Sequence, residues 1–149
     1  VAAPDIYRVY FHGPAYRVLD RAWRDDGRMV GLAAPDLPED HVPSDRSLLL
    51  RPRLIELCFQ TAGVWELGAA GRLGLPAQVG RVTVMPGDGA APHHAVAEPA
   101  AGGEGFDVTV LDAGGRVQAR VEGYRTVPLP DGPAEDLLAP FRAAAGSDS

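Results

Sequence analysis

Two polar side chains, Glu56 and Gln60, interrupt the otherwise apolar stretch "RLIELCFQTAGVW" at residues 53–65. Leu54, Ile55, Leu57, Cys58, Phe59, Ala62, Val64 and Trp65 leave it apolar on nearly every side. Residues four apart share one helical face, so in a helix the carboxyl and the carboxamide point the same way. Burying a charged carboxylate is costly unless it is paired, so a buried Glu tends to keep its proton. A carboxylic acid held neutral at about pH 7 is a usable general acid. Gln60 would then orient that acid, or orient a substrate hydroxyl. The rival reading is structural: both groups reach past the helix end or bond a neighbouring strand, with no chemistry.

The element carrying this pair must be a buried helix. Pro52 suits a first helical turn, where its missing N–H costs nothing, and Gly68 and Gly71 suit the end. The segment from Pro52 to about Leu67 is too long for a typical strand, and its all-round apolar character asks to be covered on every side. The flanking chain supplies a cover. "IYRVYF" (6–11) alternates weakly and reads as a short strand. Gly13 and Pro14 then force a turn. "RVLDRAWRDDG" and "GRMVGLAAP" flank an Asp-Gly signal and read as a hairpin, followed by a loop over 36–50. Residues 73–80 read as a turn region, 78–86 as a strand, and His94–Glu98 as a short strand. Residues 106–127 form the clearest hairpin, with Val117, Ala119 and Val121 on one side and Gln118, Arg120 and Glu122 on the other.

The expected fold class is therefore α+β, a hotdog: a curved antiparallel sheet wrapped around one long central helix at about residues 52–67. The expected organisation is one domain over 1–130, then a short helix interrupted by Pro140 and a frayed tail over 131–149.

Composition narrows the function. The 149 residues suffice for one domain with a real core. Net charge is -6, and all 14 cationic residues are arginine. With no basic run, nucleic acid is a poor partner, because phosphate binding needs a cationic patch. The Arg, Ala, Gly and Pro bias most simply reflects a GC-rich genome, as in many actinobacteria. Cys58 is the sole cysteine, which excludes an internal disulfide, and it reads as a small buried hydrophobe. "HVPSD" (41–45) reads as a solvated loop, since neighbours in one loop do not readily form a triad. His93 and His94 lack companions for a metal site, so no metal is expected. The N-terminus shows no signal-peptide pattern, and no stretch approaches the ~20 apolar residues of a membrane helix, so the chain reads as cytoplasmic.

"YFHGPAYRVLD" followed by "LLLRPRLIELCFQTAGVW" resembles the dehydratase domains of polyketide synthases, specifically their second, C-terminal hotdog half. "HGPAY" (12–16) resembles that half's Tyr-Gly-Pro-x-Phe-like turn. "RPRLIELCFQ" (51–60) resembles the His-Pro-x-Leu-Leu-Asp-x-x-x-Gln/His motif that opens its central helix. The later strands fit as well, so the likeness covers most of residues 6–127.

The resemblance implies a lyase that removes water from a 3-hydroxyacyl group on an acyl carrier protein, giving a 2-enoyl group. Glu56 then matches the acid that protonates the leaving hydroxyl, and Gln60 its neighbour. His12, Gly13, Pro14 and Tyr16 would line the substrate tunnel. No cofactor is implied beyond the phosphopantetheine that carries the substrate. The chain departs from the family in three places: Glu56 stands for the usual Asp, Arg51 for the usual His, and His12 where a Tyr often stands. No histidine has the family's spacing to a downstream glycine and proline. The expected partner is therefore a missing N-terminal half, or a second copy in a dimer, supplying the base; His12 is the one in-chain candidate for it. The rival functions are a non-catalytic structural or dimerisation hotdog and a hotdog acyl thioesterase.

Overall fold

The computed structural model describes residues 1–46, 48 and 50–146. Helix α1 (Ala3–Val9) and a 3-10 turn (Pro14–Tyr16) lead into strands β1 (Leu19–Asp25) and β2 (Arg28–Ala33). The long helix α2 (Pro52–Ala70) follows, then β3 (Gly74–Gln78), β4 (Arg81–Val84), β5 (His94–Pro99), β6 (Phe106–Leu111), β7 (Val117–Pro128) and helix α3 (Glu135–Ala145). The sheet is antiparallel in the order β1-β2-β5-β6-β7-β3, with β4 also on β7. It curves around α2, which packs against strands from both halves of the sheet. This is the hotdog arrangement expected from the apolar helix and its flanking hairpins.

Local chemistry explains the elements. The β1–β2 turn puts Asp26 (φ 46°) and Gly27 (φ 75°) in the left-handed region, the geometry whose twist matches two antiparallel strands. Pro52 opens α2, and Gly71 (φ 64°) closes it by donating to the Leu67 carbonyl. The helix therefore runs three residues past its expected end, and Gly68 lies inside it. A Cβ there would strike the Phe141 carbonyl, so Gly68 is where α3 docks. Leu57, Cys58, Ala62, Val64 and Leu67 of α2 are fully covered, facing Met29, Ala95, Val108, Val110 and Val121 of the sheet. No described helix is long and apolar enough to cross a membrane.

Four local expectations are corrected. Residues 3–9 form a helix and not a strand: Pro4 sits in its first turn, and Ile6 and Tyr10, four apart, are buried together. Residues 74–78 form a strand and not a turn; Pro76 is tolerated because β3 is an edge strand. In β7 a register shift between Val110 and Leu111 of the partner strand turns Gln118 inward, leaving it 5% exposed and Val117 39% exposed. Helix α3 continues through Pro140. The missing N–H forfeits one bond, to the Asp136 carbonyl, against the burial of Leu138, Phe141 and Ala145. That helix packs on α2, and Arg24 of β1 donates to the Ala145 carbonyl at 2.7 Å. The expected frayed tail at 147–149 lies outside the described residues.

Candidate functional site

Helix α2 presents Glu56 and Gln60 on the same face, toward α1 and the turn that follows it. Gln60 is 2% exposed. Its amide nitrogen donates to Glu56 Oε2 at 2.9 Å and to the Tyr16 carbonyl at 2.8 Å. Its amide oxygen accepts from the Tyr7 hydroxyl at 2.7 Å, and that hydroxyl accepts from the Leu19 backbone N–H at 2.8 Å. Tyr10 donates to the Gln60 backbone carbonyl at 3.1 Å. Gly63 permits that approach, since a Cβ there would meet the Tyr10 hydroxyl.

His12 completes the cluster. Its Nε2 lies 3.3 Å from Glu56 Oε2, the oxygen that Gln60 also contacts. The ring meets Tyr10 edge-on at 5.4 Å and lies parallel to Phe11 at 6.3 Å. His12 Nδ1 is buried and has no hydrogen-bond partner among the described residues.

The protonation state of Glu56 departs from the sequence expectation. Burial pushes its pKa up, but His12 beside it and the Gln60 hydrogen bond outweigh that push and hold it below the usual 4.5. Glu56 is therefore a carboxylate at neutral pH, because its side chain is paired and still 27% exposed. The tyrosines respond oppositely: burial raises Tyr7, Tyr10 and Tyr124, so all three stay neutral.

Glu56, Gln60 and His12 border a cavity of about 160 Å³ whose other walls include Phe59, Pro76 and Tyr124. Phe59 and Tyr124 stack at 4.5 Å. Of the residues expected along a tunnel, only His12 lines this cavity. Gly13 and Pro14 are exposed beside it. Tyr16 turns its hydroxyl to Asp40 at 3.2 Å, and its carbonyl holds Gln60. Tyr7 and Tyr10 had no sequence signal as site residues, because residues 6–11 read as a strand and their helical spacing was hidden.

The remaining candidates fall away from the cavity. Arg51 staples the 87–88 turn and Gln118. His41 pairs with Asp40 at 2.7 Å, and Ser44 and Asp45 are exposed. His93 contacts the Asp88 carbonyl, and His94 packs edge-on against Trp23. The Cys58 thiol is pushed up to about 12 by burial and is not poised for nucleophilic chemistry. No group of three or more His, Cys, Asp or Glu side chains that could hold a metal occurs among the described residues.

No curated protein matches the chain. Solved structures do. The dehydratase domain from the CurK module of curacin polyketide synthase aligns with a TM-score of 0.69 at 17% identity, over 91% of this chain and 48% of that one. A trans-AT polyketide synthase dehydratase domain from Brevibacillus brevis gives 0.68 at 16% identity, over 85% and 46%. The bifunctional dehydratase-cyclase domain of ambruticin biosynthesis gives 0.60 at 26% identity, over 78% and 42%. Two further CurK dehydratase structures are of inactive mutants, one with phenylalanine for a histidine and one with asparagine for an aspartate. The chain spans about half the length of these relatives. The family described as the polyketide synthase dehydratase N-terminal domain matches residues 6–136, although the Gly-Pro turn and the helix motif resemble the second half. With that match spanning most of its length, the chain belongs to the polyketide synthase dehydratase family.

Proposed function

We propose that this chain is one half of a dehydratase that removes water from 3-hydroxyacyl thioesters carried on an acyl carrier protein, with Glu56 delivering the proton to the leaving hydroxyl. The observation that supports this reading is the convergence of a carboxylate, a histidine and a carboxamide on the wall of one apolar cavity. Glu56 is ionised at rest, so its proton must be supplied. His12 Nε2, at 3.3 Å from Oε2, is placed to supply it. In the elimination, the α C–H bond breaks and its proton passes to a base. The C=C bond forms, the C–O bond breaks, and the oxygen takes the proton from Glu56 and leaves as water. Gln60, with both amide hydrogens and its oxygen engaged, acts on Glu56 and not on the substrate.

The base comes from the facing half or from a second copy, because His12 is already committed to Glu56. Phe11 is 76% exposed beside the cavity, and β3 and β4 share an open edge carrying Val82 at 41% exposure. Such a surface asks for a partner. In the CurK dehydratase, a histidine and an aspartate are the residues altered in the inactive mutants. In the proposed reading, Glu56 takes the part of the acidic residue.

Incubation of the protein and its facing half with carrier-bound 3-hydroxyacyl and acyl thioesters tests the reading. Enoyl thioester is the expected product. Free acid would instead mean thioester hydrolysis, and unchanged thioester would mean a structural hotdog.

A further inference from the structure

We propose that Tyr7 is a positioning residue whose hydroxyl fixes the orientation of the Gln60 carboxamide, so that the amide nitrogen and not the oxygen faces Glu56. The inference rests on the reading of Glu56 as the reacting carboxylate, and it is carried by hydrogen bonds that have only one consistent set of directions.

The Leu19 backbone N–H can only donate, and it reaches the Tyr7 oxygen at 2.8 Å. The Tyr7 hydrogen must therefore go elsewhere, and the Gln60 amide oxygen lies 2.7 Å away. At the other end, the Tyr16 backbone carbonyl can only accept, and the Gln60 amide nitrogen lies 2.8 Å from it. The second amide hydrogen is left for Glu56 Oε2 at 2.9 Å. Flipping the carboxamide would set its oxygen against the Tyr16 carbonyl and the Glu56 carboxylate together, and would leave the Tyr7 hydrogen without an acceptor. Two backbone groups, on the 3-10 turn and at the start of β1, are thus read through Tyr7 and Gln60 into the electrostatics of one carboxylate. Tyr10 anchors the same residue differently, through the Gln60 backbone carbonyl, and so holds α2 without setting the amide.

The titratable groups around Glu56 are few. His12 comes from the turn, Tyr7 from α1, Tyr10 from the cap at its C-terminal end, Tyr16 from the 3-10 turn and Tyr124 from β7. Arg53 lies one turn back on α2, and the cavity wall is completed by Leu73 with Gly74, Leu75 and Pro76 of β3, none of which titrates. Burial keeps the four tyrosines neutral below pH 10. The charge state of Glu56 therefore answers to His12 and to the direction of the Gln60 amide.

The test is an NMR titration of the Glu56 side-chain carboxyl in the full chain, which needs no turnover. The wild-type midpoint is expected below 4.5. Tyr7→Phe should raise it by about half a unit or more, and Gln60→Leu should raise it as well, since each weakens hydrogen bonding to the charged form. Tyr7→Phe placed on Gln60→Leu should add nothing. A midpoint unmoved by Tyr7→Phe, or an equal further rise in the Gln60→Leu background, overturns the proposal. Should Tyr7→Phe fail to fold, the wild-type protein still decides. Nuclear Overhauser contacts from the Gln60 amide hydrogens should reach Tyr16 and Glu56, and strong contacts to the Tyr7 ring edge instead would overturn the assignment. An unmoved midpoint would leave the dehydratase reading standing, and a chain that dehydrates nothing would still yield a midpoint.

Discussion

At the scale of single residues, Glu56 and Gln60 were legible because i, i+4 spacing in an apolar run needs no tertiary knowledge. Their chemistry was only partly legible. The expectation of a protonated Glu56 assumed an unpaired buried carboxyl, but His12 and Gln60 pair it, and its pKa falls instead. His12 is forty-four positions away in sequence, so no local pattern could show that contact. Tyr7 was hidden for the same reason, since its partners are Gln60 and the Leu19 backbone. The position of Gly63 has a testable consequence at this scale. Gly63→Ala should destabilise the fold by about 1–3 kcal/mol, because the new methyl displaces the Tyr10 hydroxyl. Denaturant unfolding should show most of that loss recovered in Gly63→Ala/Tyr10→Phe, where the obstruction is gone. Equal stability of the two alanine variants would mean the methyl is accommodated some other way.

Among the elements, those whose signals are local were read correctly. The β1–β2 hairpin follows from Asp26-Gly27, the β6–β7 hairpin from its alternation and turn, and α2 from Pro52 and its apolar length. Those that depend on what covers them were not. Helix α1 has too few residues to show a helical period against a weak alternation, and β3 is a strand only because β7 extends far enough to pair with it. The β1–β2 turn carries a prediction of its own. Gly27→Val should cost about 1–2 kcal/mol in equilibrium unfolding, because a β-branched side chain is forced to a positive φ. A variant as stable as wild type would contradict the turn geometry.

For the whole molecule, buried tyrosines set a limit on stability at high pH. Tyr7, Tyr10 and Tyr124 are all held above the ordinary value of 10 by burial. Unfolded tyrosines ionise near 10 while the folded ones resist, so their contribution to stability is complete below pH 10 and is lost as pH rises beyond it. Urea midpoints measured across this range should fall steeply, and less steeply in Tyr7→Phe. The same burial draws α1, α2 and β7 together around Glu56, so one cluster serves both the core and the cavity. The family assignment follows from the match over most of the chain, and the proposed reaction rests on Glu56. Dehydration of a carrier-bound 3-hydroxyacyl thioester by Glu56→Gln, with the facing half present, is the most direct measurement. Enoyl formation should drop by on the order of 100-fold or more, with the circular dichroism spectrum unchanged. Wild-type enoyl formation by a folded Glu56→Gln variant would contradict the assignment of Glu56 as the proton donor.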